Sequence, residues 1–192
     1  MLAGVLMASV LAVFAIKYLV DQVVLGVVVN LLASGITGFL FDQLVQPNSR
    51  RLNSAPTMDP IAIPVLSDIP LLGPILFNQT ILVYLAIVSV ALVWFLLFRT
   101  RWGLRVRAVG EHPKAADTVG ISVKRVRWQA VLVAGAFSGL GGAFFTVGSI
   151  GSFSKDLTVG NGFIALAAVI MGRWHPVLAA TMALFFGFVV QM

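Results

Sequence analysis

The chain has 192 residues, of which 59% are apolar and only 10% charged, with a formal net charge of +6. Soluble domains carry about a quarter charged residues, so a water-soluble globular fold is excluded and the chain is expected in a bilayer. No cysteine is present, and His112 and His175 stand far apart with no carboxylate at ligand spacing. Disulfides and thiolate metal sites are therefore excluded, and neither a zinc centre nor a Ser-His-Asp hydrolase is expected.

A spanning helix needs roughly 20 predominantly apolar residues. The first apolar run, Met1 to Ile16, has no basic region before it and is followed by further apolar runs, which sets it apart from a cleavable signal peptide. After the short turn from Lys17 to Gln22 comes the second run, Val23 to Phe41. Gly26, Asn30, Ser34 and Thr37 recur there on one side of a helix, and valines and leucines cover much of the remainder. An amide in hydrocarbon needs a partner or a cavity. Asn30 is thus expected to face the protein interior, either as glue between helices or as the lining of a polar solute route.

The segment from Asp42 to Asn78 carries six prolines, Pro47, Pro56, Pro60, Pro64, Pro70 and Pro74. They forbid a continuous helix and favour extended or interfacial backbone. Two uses are open: a docking surface for an external partner, or a connector lying on the headgroups. A third apolar run, Ile81 to Phe98, leads into the basic island Arg99 to Arg127. This island holds Arg99, Arg101, Arg105, Arg107, Lys114, Lys124, Arg125 and Arg127 against Glu111 and Asp117. Its excess equals the net charge of the whole chain, so no nucleic-acid partner is needed to account for the basic composition. Basic residues flanking spanning helices mark the cytoplasmic side, which makes 99–127 a cytoplasmic loop. By alternation 42–78, with a net charge of −1, is extracytoplasmic, and the turn at Lys17 to Gln22 is cytoplasmic.

Within the basic loop Pro113 suits a first helical position and Gly120 a left-handed stop, which predicts a short helix from Pro113 to Val119. Small Ala115 and Ala116 would let a partner approach closely, with Glu111 and the arginines fixing its register. An ordinary helix lying on anionic lipid is the other reading.

The fourth run, Ala130 to Gly148, repeats small residues at four-residue spacing, Ala134, Ser138 and Gly142 on one ridge and Gly135 and Gly139 on another, a pattern of close helix packing. Gly160 to Gly162 opens a run of nine residues, Phe163 to Met171, long enough to reach about half the hydrocarbon thickness. Gly172-Arg173-Trp174-His175-Pro176 interrupts it before the last run, Val177 to Met192. Such a half-helix with its break is a candidate pathway wall, while Arg173 and Trp174 also suit an interfacial anchor. Because the chain begins and ends inside apolar runs, it is expected to be a fragment of a longer protein with helices beyond both ends.

The strings WGLRVRAVGEHPKAADTVGISVKRVR and GFIALAAVIMGRWHP, together with DQVVLGVVVNLLASGITGFLF and IPLLGPILF, resemble the membrane permease subunit of ABC importers. The family concerned carries simple sugars, nucleosides and branched-chain amino acids, and the likeness extends over nearly all of the chain, most to the nucleoside or simple-sugar branch. It implies that the loop helix couples to a cytoplasmic ATP-binding subunit, with Gly110, Glu111, Pro113, Ala115, Ala116, Gly120 and Ile121 as the matching positions. His112 departs from the asparagine usual before that proline in the family and is a poorer N-cap. The same resemblance implies that Val23 to Phe41 lines the translocation route. Asp21 and Gln22 then stand near its cytoplasmic mouth, Asn30, Ser34 and Thr37 along it, and the half-helix from Gly162 faces the centre.

The expectation is therefore an all-α, polytopic transmembrane bundle within one permease domain, 1–192, with about five spanning helices, one half-helix and a short cytoplasmic coupling helix, in the plasma (inner) membrane. Its resemblance implies alternating access for a small polar solute, nucleoside or simple sugar, and three partners beside the bilayer: a separate ATPase, a second permease subunit and an extracytoplasmic solute-binding protein. The chain lacks the G-x-x-x-x-G-K-[ST] phosphate loop, since Gly139-Leu140-Gly141-Gly142 is not followed by its lysine. No catalytic residue, metal or cofactor is expected. A branched-chain amino acid permease is the alternative within the family, and a membrane anchor that recruits a soluble partner is the alternative outside it.

Overall fold

The computed structural model describes residues 1–48, 53, 61–62, 78–154, 157–158 and 160–192. In chain order the elements are α1 (Leu2–Ala12), α2 (Gln22–Leu40), β1 (Ile61–Ala62), β2 (Asn78–Gln79), α3 (Ile81–Arg99), α4 (Arg101–Glu111), α5 (Pro113–Thr118), α6 (Val123–Ala143), α7 (Asn161–Met171) and α8 (Pro176–Gln191). Three helices run on into π-helical turns: α1 through Val13–Lys17, α2 through Phe41–Val45 and α6 through Phe144–Ile150. With these extensions Gln22–Val45, Ile81–Arg99 and Val123–Gly148 are long and apolar enough to cross a membrane. Leu2–Lys17, Asn161–Met171 and Pro176–Gln191 are shorter apolar helices.

Two compact units divide the chain, Met1–Thr57 with Arg101–Leu157, and Met58–Thr100 with Thr158–Met192. The first is organised by α1 against α6. A Cβ added to Gly135 would collide with the Ala8 methyl and stand 2.8 Å from the Gly4 carbonyl oxygen, and one added to Gly139 would stand 2.9 Å from the Met1 Cα. The helices touch backbone to backbone, which only residues without a side chain permit. Gly135 and Gly139 are thus the ridge that packs, whereas Ala134, Ser138 and Gly142 are exposed. Ala12, Ala15 and Ile16 complete the buried side of α1 and its extension.

Helix α2 starts sharply because the Asp21 carboxylate accepts hydrogen bonds from the Val23 and Val24 amides, at 2.8 and 3.1 Å. It runs further than the apolar pattern predicts. Asp42, expected to open the outer loop, lies in its π-helical extension, which passes into a 3-10 turn at Gln46–Asn48. No glycine or proline stands between Phe41 and Gln46, so the first breaker is Pro47. Much of the expected proline-rich outer segment, 49–52, 54–60 and 63–77, lies outside the described residues.

The basic island also departs from expectation. A single short helix in a loop was predicted, yet α4, α5 and the first turns of α6 make nearly all of it helical. Trp102, Val106 and Val109 repeat at i, i+4 and i+7, an amphipathic face that the run of arginines hides from a composition-based reading. Val109, Ala116 and Val126 form its buried centre, and Val106, Ile121 and Val123 pack against them.

In the second unit Ile61 and Ala62 pair antiparallel with Gln79 and Asn78. Helices α7 and α8 form a hairpin closed by Gly172 to His175. Arg173 and Trp174 take left-handed φ values of 53° and 59°, an arrangement that costs of order 1 kcal/mol per non-glycine residue. The turn is held by hydrogen bonds from the Arg173 amide to the Ile170 carbonyl (3.0 Å) and from the Trp174 amide to the Val169 carbonyl (3.1 Å). Gly172 lies directly against the Ala179 backbone, and the His175 ring meets Phe98 of α3 at 5.1 Å. The expected break after the half-helix is therefore a tight reversal, with Trp174 74% exposed at its tip.

Candidate functional site

The basic helical motif is the most completely built feature of the first unit. Helix α5 begins at Pro113 in its first turn, with His112 as N-cap making no side-chain capping bond. It ends in a glycine stop. The Ile121 amide donates to the Ala116 carbonyl at 3.0 Å and the Gly120 amide to the Asp117 carbonyl at 2.9 Å, with Gly120 at φ +82°. This pair of bonds, with an apolar residue after the glycine packed back onto the helix, is the Schellman arrangement. Gly120 and Ile121 therefore shape the end of α5. The motif is further tied by the Trp102 indole N–H donating to the Gln129 side-chain oxygen at 3.0 Å, which joins α4 to α6.

Helix α5 presents three distinct sides. Ala116 is 4% exposed and packs among Val109 and Val126. This corrects the expectation that both alanines meet a partner: Ala116 holds α5 to its own chain. Ala115 is exposed, as are Gly110, Glu111 and His112, and Val119 is 73% exposed, an apolar side chain at the end of a fixed helix. The third side, with Pro113, Lys114 and Asp117, lines a cleft with the α1–α2 turn. That turn and the basic motif thus lie at one end of the unit.

The α2 candidates are placed differently. Asn30 and Ser34 are exposed and Thr37 is half-buried, and no atom stands within 4 Å of a Cβ added to Gly26. Asn30 was expected to face the protein interior, as glue between helices or as the lining of a solute route. In this chain it is exposed, and Leu25 is the one buried residue of α2. Asp21, expected near a pathway mouth, is engaged as the N-cap of α2, a role that an aspartate just before an apolar run signals. Gln22 is exposed in the first turn. Gly162 belongs to the second unit, exposed in the first turn of α7.

One connection had no sequence signal. The Asn53 side-chain amide donates to the Phe153 carbonyl at 2.9 Å and its oxygen accepts from the Phe153 amide at 2.5 Å, across 100 residues. The Phe153 ring also meets Phe41 at 5.9 Å. The segment after α2 is thereby fastened to the segment after α6. Among the described residues no group of three or more His, Asp or Glu side chains is placed to hold a metal.

A predominantly helical chain with three helices of spanning length and a folded basic motif continuous in sequence with two of them is a polytopic membrane protein. The chain belongs to the family described as branched-chain amino acid transport system / permease component, whose model matches residues 1–192. It is 43% identical over 187 residues to the nucleoside ABC transporter permease protein NupC of Lactococcus lactis subsp. cremoris, covering 97% of this chain and 58% of that protein. It is 43% identical over 191 residues to the guanosine ABC transporter permease protein NupQ of Bacillus subtilis, covering 98% and 59%. The putative glucose ABC transporter permease protein TsgC13 of Haloferax volcanii is 37% identical over 185 residues, covering 96% and 55%. The chain thus spans under three fifths of the length of these relatives. No solved structure matches it.

Proposed function

We propose that this chain is part of the permease subunit of an ATP-binding cassette importer for a nucleoside or a simple sugar. The relatives named for nucleoside, guanosine and glucose transport support that substrate class. In this reading the chain sits in the plasma (inner) membrane, with 99–127 cytoplasmic and 42–78 extracytoplasmic. ATP is hydrolysed in a separate subunit seated against α5. A second permease subunit completes the pathway, and an extracytoplasmic solute-binding protein delivers the solute. Asn30, Ser34 and Thr37 of α2 give the route its polar lining, with Asp21 and Gln22 at its mouth, and Gly162 of α7 is a further pathway residue. Solute moves by alternating access, as nucleotide-driven closure of the ATPase moves the loop helix and tips the bundle between outward-open and inward-open states.

The single observation that carries this reading is the folded α4–α5–α6 motif. It holds Ala115 and Val119 outward on a helix anchored by Ala116 and stopped by Gly120, with Glu111 exposed at the end of α4. A rigid exposed apolar tip on a basic platform is what a moving partner can push against. Gly110, Pro113 and Ile121 shape that platform.

The test is uptake of radiolabelled guanosine, glucose and leucine by cells carrying the intact gene, its Ala115→Arg variant or a deletion. Loss of nucleoside or glucose uptake on deletion and in Ala115→Arg, with the variant still in the membrane, is the expected result. Loss of leucine uptake alone would transfer the assignment to branched-chain amino acids, the substrate in the family's description. Unchanged uptake of all three on deletion would leave the anchor reading in its place.

A further inference from the structure

The side of α5 turned away from its exposed tip borders an open cleft of about 390 Å³ between the α1–α2 turn and the α5–α6 elbow. Its lining divides by chemistry. Ile16, Leu19 and Val123 make an apolar wall, and Lys114, Lys124 and Arg127 supply three cations, with Asp117 as the one carboxylate. The lining groups therefore carry an excess of two positive charges.

The position of the cleft along the helices matters as much as its charge. Helix α1 and its extension are apolar from Leu2 to Ile16 and end at Lys17, and α6 passes from the basic stretch Lys124 to Arg127 into an apolar run from Ala130. Both apolar runs end at this cleft, α1 in a polar turn that holds Lys17 and Asp21 and α6 in the basic stretch, which is where the headgroup layer of a bilayer lies against such helices. Leu19 adds a further sign. It takes a left-handed φ of 56° and remains 79% exposed, an apolar side chain held at the rim of a basic cleft. A free anion has no use for that wall, and a zwitterionic headgroup does not answer the charge excess.

We propose that this cleft binds an anionic phospholipid, its phosphate among Lys114, Lys124 and Arg127 and the start of its acyl chains against Ile16, Leu19 and Val123. The volume lies within the range of small-molecule sites. The ligand sits beside α5 and leaves the Ala115 and Val119 side clear. The site stands whether or not the chain transports nucleosides, because nothing in it depends on the solute.

The experiment is native mass spectrometry of the full chain purified in detergent, titrated with phosphatidylglycerol or with phosphatidylcholine of the same acyl chains. The expected result is retention of one phosphatidylglycerol in preference to phosphatidylcholine, undisturbed by millimolar inorganic phosphate. Each basic residue near an anionic surface contributes about fivefold in affinity. Lys114→Ala/Lys124→Ala/Arg127→Ala should therefore weaken retention on the order of 100-fold. The equally charged control, Arg101→Ala/Arg105→Ala/Arg125→Ala, removes exposed cations outside the cleft and should retain the lipid. Equal loss in both triple variants would overturn the proposal in favour of diffuse attraction. Displacement by inorganic phosphate would overturn it in favour of a simple anion site, and equal retention of the two lipids by the unmodified chain would overturn it without any variant.

Discussion

Replacing Gly135 with alanine tests how closely α1 and α6 must approach. The added methyl would stand 2.8 Å from the Gly4 carbonyl oxygen, about 0.6 Å inside the 3.4 Å at which ordinary contact begins, and would also collide with the Ala8 methyl. Neither obstacle is the far end of a flexible side chain, so the helix itself must move. Overpacking of this kind costs about 1–3 kcal/mol, against which alanine gains up to about 1 kcal/mol in helix propensity over glycine. Gly142→Ala is the matched control: same helix, same exchange, and nothing within 4 Å of the new methyl. The difference in unfolding free energy between the two variants removes the propensity contribution and should be about 1–3 kcal/mol, with Gly135→Ala the less stable. Denaturant titration of the chain in mixed micelles, followed by circular dichroism, measures it. Agreement of the two variants to within about 0.3 kcal/mol would refute the claim that Gly135 carries the contact.

The two alanines of α5 should separate in the same assay: Ala116→Leu overfills the Val109 and Val126 centre and should lose about 1–3 kcal/mol, while Ala115→Leu, on the exposed side, should leave stability unchanged. Asn53→Ala removes both hydrogen bonds to Phe153 and leaves its backbone groups without them, a loss of about 1–3 kcal/mol locally. Hydrogen exchange should show the Phe153 amide losing protection, and unchanged protection would count against the clamp. Asp21→Ala should destabilise α2 by about 1 kcal/mol, whereas Asp21→Asn should retain most of the cap. If the two Asp21 variants unfold alike, capping is not what the carboxylate contributes.

The sequence alone determined that this chain belongs in a bilayer, because 59% apolar composition leaves too little polar surface to face water. It also placed most of the helices, though not α4 or the extension of α2, since apolar periodicity, Pro113, Gly120 and the Gly172 to Pro176 break act locally and need no distant partner. It even announced close packing on α6, though not which ridge is used. Ala134, Ser138 and Gly142 read as well as Gly135 and Gly139, and the choice depends on where Gly4 and Ala8 of α1 come to lie. The same holds for the two adjacent alanines of α5. Only the positions of Val109 and Val126 decide that Ala116 turns inward and Ala115 outward. The clamp between Asn53 and Phe153 was not legible at all, because an asparagine in a polar segment looks the same with or without a partner 100 residues away. Local propensity is written residue by residue, but which faces meet is settled by the approach of elements far apart in the chain, and that is where the folded structure alone decides.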